Sequence, residues 1–536
     1  MTESIGVVGA GTMGAGIAQV AAVAGHRVLI ADAVPGAADR AVAGIRERVK
    51  AQVAKGRLSV DPDALNLTAV DFADALAGCG VVIEAVIEDL AVKRALFAEL
   101  ETVVAGDAIL ASNTSSLSPT ALAAGLDRPG RLVGLHFFNP VPAMKLVEVI
   151  SGLATDPKVA DAAAELAAAW GKSVVRSTAT PGFIVNRIAR PYYAEAWRIH
   201  EERATVPQNI DAVLTGAGGF RMGPFALMDL IGHDVNEAVT RSVWSAFGHD
   251  PRFAPSLAQR ALVEAGWYGR KSGRGVYPGD GAPAAVPEPP SPAPHFVTEH
   301  PAFGDAGEPV PSPLRPLLDR AAGVAVGPGQ RDDTAVGLPG GLVELPSGAL
   351  LVISEGATAT ALSAAFGRPV IVADRVLDAA TATAIAVAAS DGCPGHGLAE
   401  ATGLLQAAGL DVYVIEDTPG LIVTRTVAML GNLAFDALAC GVASEPDIDS
   451  AMRLGVNYPL GPLAWARQWG AGTVLRVLDS LENWYRDGHY RASPLLRRAA
   501  LSHRIHADPI PSSPTESSPT ESSPTESSPT ESSRVS

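Results

Sequence analysis

An eight-residue motif that occurs twice constrains the fold of this chain most. Thr180-Pro181-Gly182-Phe183-Ile184-Val185-Asn186-Arg187 is echoed by Thr418-Pro419-Gly420-Leu421-Ile422-Val423-Thr424-Arg425. The match continues without a gap: NIDAVLTGAGGFRMGPFALM, from Asn209, aligns with DIDSAMRLGVNYPLGPLAWA, from Asp447. Self-similarity at a fixed spacing marks a duplicated structural unit. In the first copy, FIVNRIARPYYAEAWRIHEE, IDAVLTGAGGF and PSLAQRALVEAG carry apolar residues at helical spacing. Two all-α domains are therefore predicted, over 180–277 and 417–505. They are not equivalent, because Thr424 stands where the first copy has Asn186, which shortens the polar reach.

What precedes the first copy, residues 1–179, reads as α/β. Ile5–Val8 is a short buried-type strand that runs into Gly9-Ala10-Gly11-Thr12-Met13-Gly14, then a helical stretch, then a second strand, HRVLIAD, ending in Asp32. Strand, glycines, helix, strand and an acid about 20 residues on form the context that a dinucleotide-binding turn requires. Gly9 permits the tight turn, Gly11 lets the backbone approach a pyrophosphate, and Gly14 lets the helix pack on the sheet with its N-terminus facing the diphosphate. Asp32 suits ribose hydroxyls and repels a 2′-phosphate, so NAD is expected rather than NADP, with FAD the main competitor for the motif. Strands recur at VVIEAV, AILASN and RLVGLHFF with helical stretches between. That alternation predicts a doubly wound sheet of the Rossmann type.

Residues 131–151, RLVGLHFFNPVPAMKLVEVIS, read as two strands around a turn at Asn139-Pro140 and Pro142. His136 at the end of one strand and Glu148 on the return strand can set an imidazole beside a carboxylate, the pair that a base working near neutral pH needs. HFFNPVPAMKLVEV resembles the signature of the 3-hydroxyacyl-CoA dehydrogenases, and the similarity runs from Ile5 to about Tyr277. The resemblance implies NAD-dependent oxidation of a (3S)-3-hydroxyacyl-CoA. It implies His136 as the base, Glu148 as its partner, and Ser115 and Asn186 beside the substrate oxygen. Glu88, Lys93, Ser115, Asn139 and Lys271 are implied to meet the cofactor. Lys55 and Arg48, on the polar helix that follows Pro35, are implied to meet the CoA nucleotide. Double-length members of the family serve 3-hydroxybutyryl-CoA or 3-hydroxyadipyl-CoA, so a short or dicarboxylic acyl group is expected, with butyrate-type metabolism or phenylacetate breakdown as the setting. Two other readings stand beside this one: a Rossmann dehydrogenase of a hydroxy acid without CoA, and a non-catalytic NAD-binding scaffold.

Residues 278–316, with PEPPSPAP at their heart, read as a semi-rigid spacer. Over 317–416 a truncated α/β segment is expected, with strands at ALLVISEG, RPVIVAD and DVYVIED and no glycine turn to open it. RPVIVAD corresponds to RLVGLHF, which leaves Ala373 or Asp374 where His136 stands. No second active site is therefore expected. The second helical copy is expected to pack on the first, as a partner subunit does in single-copy relatives, with further homo-oligomerisation open. Residues 506–536 carry SSPTE four times and read as disordered.

A formal net charge of −16 disfavours nucleic acid or an anionic membrane as partner. No run of about 18 apolar residues is free of charge, Gly or Pro, so no membrane span is expected. Cys79, Cys393 and Cys440 lack metal-ligand spacing and read as reduced thiols. With no metal site and no secretion signal in MTESIGVVGAG, a cytoplasmic enzyme is expected.

Overall fold

A computed structural model of the chain describes residues 4–71, 74–279, 281–303, 309–310, 312–329 and 341–502. The SSPTE repeats lie outside the described residues. The first sheet has eight strands: β1 (Ile5–Val8), β2 (Val28–Ala31), β3 (Leu67–Ala69), β4 (Val81–Glu84), β5 (Ile109–Ser112), β6 (Leu132–Phe137), β7 (Leu146–Ser151) and β8 (Ser173–Thr178), in the spatial order β3-β2-β1-β4-β5-β6-β7-β8. β1 to β6 run parallel. Such strands are covered on both faces and so read as unbroken apolar runs; β1, β2, β4 and β5 bury every residue. Helices α1 (Thr12–Val23), α2 (Ala37–Ala54) and α5 (Pro157–Ala169) share one core layer with the sheet, and α3 (Leu90–Val103) and α4 (Pro119–Ala123) share the other. The strand order reverses between β1 and β4, which opens a crevice at their carboxyl ends. β7 then turns back antiparallel to β6 and sets Glu148 directly opposite His136.

Past β8 the chain is helical: α6 (Val185–Ile188), α7 (Arg190–Glu201), α8 (Pro207–Gly216), α9 (Pro224–Ile231), α10 (His233–Ala246) and α11 (Leu257–Glu264). The N-terminus of α9 is satisfied from a distance, the Asp211 carboxylate accepting from the N–H groups of Phe225 and Ala226, both at 2.9 Å.

A second, mixed sheet follows, built from β9 (Phe296–His300), β12 (Ala325–Pro328), β13 (Leu342–Glu344), β14 (Leu350–Ile353), β15 (Val370–Ala373), β16 (Ala384–Ala389) and β17 (Asp411–Val414), in the order β12-β9-β13-β14-β15-β16-β17. A two-residue ribbon, β10 (Ala302–Phe303) with β11 (Pro309–Val310), lies apart from it, and α12 (Arg315–Leu318), α13 (Ala359–Phe366) and α14 (Gly395–Ala407) complete the segment. The expected spacer is thus structured in part. β9 pairs parallel with β12 and antiparallel with β13, and the Glu288 N–H donates to the Val412 carbonyl on the sheet's edge strand, β17. Proline is tolerated along a sheet edge, where its missing donor faces outward. Local composition therefore read as linker what long-range pairing orders.

The last helices are α15 (Val423–Ala439), α16 (Glu445–Gly455), α17 (Pro462–Trp469), α18 (Ala471–Tyr485) and α19 (Pro494–Ser502). α15 is buried almost from end to end and lies against α7. Fully buried Arg425 reaches across to Glu195 at 3.1 Å and to the Tyr490 hydroxyl at 2.5 Å, while Arg187, at the matching place in the first repeat, meets Asp436 at 2.8 Å. Asp449 satisfies the start of α17 as Asp211 does that of α9, through Leu463 and Ala464 at 2.9 Å each. No helix among the described residues is long and apolar enough to cross a membrane.

Candidate active site

β1 delivers the chain into Gly9, whose φ of +104° and whose approach to Ala85 exclude a side chain: a Cβ there would lie 2.5 Å from the Ala85 carbonyl oxygen. At Gly14 a Cβ would fall 1.8 Å from the Gly9 oxygen, whereas at Gly11 it would meet nothing within 4 Å. The loop is therefore closed on its inner side and open at Gly11. No side chain caps α1, which leaves the N–H groups of its first turn available to an anion. Asp32 sits at the end of β2 with one carboxylate oxygen on the Ala10 N–H (2.6 Å) and the other on the Val34 N–H (2.8 Å). A carboxylate retains further lone pairs for ribose hydroxyls. These features fit a dinucleotide.

At the carboxyl end of β4 lies a group that sequence reasoning caught only in part. Lys93, 1 % exposed, is held between Glu84 and Glu88 at 2.8 Å each. It is sealed away, so it positions Glu88 rather than offering a free ammonium. Glu88 in turn accepts from the Thr114 hydroxyl (2.6 Å), the Ser115 and Ser116 N–H groups (2.9 and 3.0 Å) and the Ser116 hydroxyl (2.9 Å). Burial alone would lift the Glu88 carboxyl, but the Lys93 ammonium and the Thr114 and Ser116 hydroxyls outweigh it and hold Glu88 at about 2. The hydroxyl-rich loop is thereby folded around one carboxylate, with Ser115 at the surface of the cleft. Glu84, which also receives the Ser112 hydroxyl at 2.6 Å, escaped sequence reasoning because an acid at a strand end looks like a surface charge.

His136 is buried, and its Nδ1 lies 2.6 Å from Glu148 Oε2. The other oxygen of Glu148 accepts from the N–H groups of Ile184 (3.1 Å) and Val185 (3.0 Å), at the start of α6. An acceptor at Nδ1 places the ring proton there and leaves Nε2 with its lone pair. Phe138 and Phe183 flank the imidazole, with ring centroids 4.5 and 5.9 Å away. One residue beyond the capped turn, Asn186 donates through Nδ2 to the Ser115 carbonyl at 3.4 Å. The structure thus brings together His136, Glu148, Ser115 and Asn186, from two strands, a loop and a helix of two domains.

Asn139 lies in a groove of about 550 Å³ between α1, α2 and the turn after β6, lined also by Thr12, Gly16, Gln19, Arg48 and Arg57. Lys55 is exposed and outside this lining. The cause is local: α2 stops at Ala54, Gly56 takes φ +66°, and the Gly56 and Arg57 N–H groups return to the Val53 and Gln52 carbonyls. This helix-ending motif directs Arg57 back to the groove. The glycine after the helical run was the signal for it. Lys271, expected at the cofactor, is instead ion-paired with Asp234 at 2.5 Å.

The second sheet keeps the strand pairing of β5 to β8, but not its chemistry. Asp374, just past β15, accepts from the N–H groups of Ile422, Val423 and Thr424 and from the Thr424 hydroxyl. It takes the place at α15 that Glu148 takes at α6, and no imidazole among the described residues is bonded to it.

Comparison with known proteins agrees with this geometry. The family described as 3-hydroxyacyl-CoA dehydrogenase, NAD binding domain, matches residues 4–180, and that described as 3-hydroxyacyl-CoA dehydrogenase, C-terminal domain, matches 182–279 and again 420–508. The chain belongs to the 3-hydroxyacyl-CoA dehydrogenase family. Residues 351–419 match a 3-hydroxybutyryl-CoA dehydrogenase reduced Rossmann-fold domain. The chain is 45 % identical over 502 residues to 3-hydroxyadipyl-CoA dehydrogenase of Escherichia coli, covering 93 % of this chain and 98 % of that one. It is 38 % identical to the mitochondrial hydroxyacyl-coenzyme A dehydrogenase of Sus scrofa over 52 % of this chain and 91 % of the relative. The crystal structure of a 3-hydroxybutyryl-CoA dehydrogenase from Escherichia coli K12 superposes with a TM-score of 0.82 at 44 % identity, covering 94 % of this chain and 98 % of that one.

Proposed function

We propose that this 3-hydroxyacyl-CoA dehydrogenase oxidises a (3S)-3-hydroxyacyl-CoA to the 3-oxoacyl-CoA through His136. The observation that carries the reading is the 2.6 Å contact between His136 Nδ1 and Glu148, with the ring's other nitrogen left as an acceptor. Nε2 takes the proton of the 3-hydroxyl as the C3–O bond becomes a carbonyl. NAD held over the glycine turn would supply the acceptor for the hydride that leaves C3. Glu148 offsets the imidazolium that forms, and its two backbone bonds fix its own position. Ser115 and Asn186 hydrogen-bond the substrate oxygen, and the crevice holds the reacting atoms in line, which supplies most of the rate gain.

Gly9 to Gly14 and Asp32 hold the dinucleotide, and Glu88, positioned by Lys93, meets its nicotinamide-side ribose. Arg48 and Arg57 supply cations to the phosphates of CoA along the groove, whose lining includes Asn139 and leaves out Lys55. Residues 1–179 and 180–277 form the working unit. Residues 317–416 and 417–505 are a degenerate repeat of it, packed in cis where a partner subunit stands in single-copy relatives. The free thiols support a reducing, cytoplasmic setting. Assay of NADH formation tests the proposal: (3S)-3-hydroxyacyl-CoA thioesters are oxidised, the corresponding free 3-hydroxy acids are not, and turnover of free acids alone would reject it.

A further inference from the structure

Six arginines among the described residues are buried, and five of them pair with a carboxylate: Arg131 with Glu101, Arg187 with Asp436, Arg252 with Asp250, Arg375 with Glu355 and Arg425 with Glu195. Arg190, 5 % exposed, has no acidic partner among the described residues. Its Nε donates to the Asn186 carbonyl (2.8 Å), its Nη1 to the Thr240 hydroxyl (3.0 Å), and its guanidinium lies 5.0 Å from the Tyr193 ring centroid. Nη2 makes no hydrogen bond with the described residues. A buried cation without an anion is costly, and proteins seldom keep one that a ligand does not neutralise.

The rings of Tyr193 and Tyr458 both pack on that of Tyr192, each 5.7 Å away between centroids, and both residues act electrostatically on this guanidinium. The Tyr458 hydroxyl is buried and has no hydrogen-bond partner. Tyr458 belongs to the second helical repeat, just past α16, and the end of that helix is pressed against the first repeat's site. A Cβ at Gly455 would lie 2.7 Å from Leu146 and 3.1 Å from Val185, residues beside Glu148 and Asn186. An unneutralised guanidinium and an unsatisfied donor hydroxyl thus converge one helical turn from Asn186. That combination is what a carboxylate requires: two or three charge-assisted donors in a dry site.

We propose that Arg190, with the hydroxyls of Tyr193 and Tyr458, binds a carboxylate at the far end of the acyl chain and so selects dicarboxylic acyl-CoA thioesters. The inference rests on the acyl-CoA reading of the His136 site. Its dimensions agree. Helical side chains lean toward the N-terminus, which sets the guanidinium over the turn of Asn186. From C3 of a six-carbon diacid, three bonds span about 4 Å and a charge-assisted hydrogen bond adds about 2.8 Å, a reach of about 7 Å that covers the helical rise of about 5.4 Å per turn. The second repeat, which lacks a site of its own, thereby completes that of the first.

The test compares two (3S)-3-hydroxyacyl-CoA thioesters of six carbons on the full-length enzyme, one ending in a carboxylate and one in a methyl group. The wild type should favour the carboxylated chain by about 10²-fold in kcat/KM. Arg190→Met should lower kcat/KM for that chain by about 10²-fold, and far less for the methyl-ended one, so that the preference vanishes. Tyr458→Phe, which keeps the ring in place, should reduce the preference by about five- to tenfold. A wild-type preference near one, or an equal fall for both substrates in Arg190→Met, overturns the inference, and an unchanged preference in Tyr458→Phe removes that residue's part. If neither thioester is oxidised, the acyl-CoA reading itself has failed.

Discussion

Replacing Glu148 by Gln tests the tautomer on which the His136 base depends. Glu148 accepts on both oxygens, from two fixed backbone N–H groups at Ile184 and Val185 and from the His136 ring. The backbone donors cannot turn, so in the glutamine variant the amide oxygen stays with them and the NH2 group faces His136. Nδ1 must then accept, which moves the ring proton to Nε2, the nitrogen that has to take the hydroxyl proton. The fold keeps both backbone bonds, so stability should change little. A wrong tautomer together with loss of the charge that offsets the imidazolium is expected to lower kcat by about 10³- to 10⁴-fold, or about 4–5.5 kcal/mol of transition-state stabilisation. NADH absorbance gives kcat, and fluorescence titration gives NAD affinity, which should stay close to wild type. A kcat within tenfold of wild type, or an equal loss of NAD affinity, would refute the reasoning.

Other perturbations probe the supports around the site. Lys93→Met leaves Glu84 buried without its cation, which should cost about 3–5 kcal/mol and lower the Tm by about 10 °C in a thermal melt. Because Glu88 is held at about 2, below its ordinary value, its stabilising contribution is complete above about pH 4.5 and fades as pH falls toward 2; the Tm gap between wild type and Glu88→Gln should close over that window. Arg425→Met strips the cation from fully buried Glu195 across the two helical repeats. It should lower the Tm by about 5–10 °C and speed limited proteolysis of the C-terminal half.

The glycine turn, the strand pair carrying His136 and Glu148 and the repeated helical motif were legible in the sequence because each depends on local rules: positive φ, apolar alternation and helical period. What the sequence hid depends on partners far along the chain. β9 sits in a proline-rich stretch whose sheet partners lie beyond it at β12 and β13. Lys93 looks like a surface charge until Glu84 on β4 and Glu88 just past it close round its ammonium. Lys55 and Arg57 are two residues apart, and only the turn at Gly56 decides which faces the groove. Arg190 reads as one more helical arginine, and the missing countercharge shows only once its neighbours are in place.

The account turns on Nε2 of His136 as the acceptor of the substrate's hydroxyl proton. The single-turnover rate of NADH formation by His136→Ala, at saturating NAD and acyl-CoA, measures that step. It should fall by about 10²- to 10⁴-fold while NAD affinity stays within about twofold of wild type. A rate unchanged from wild type would contradict the account.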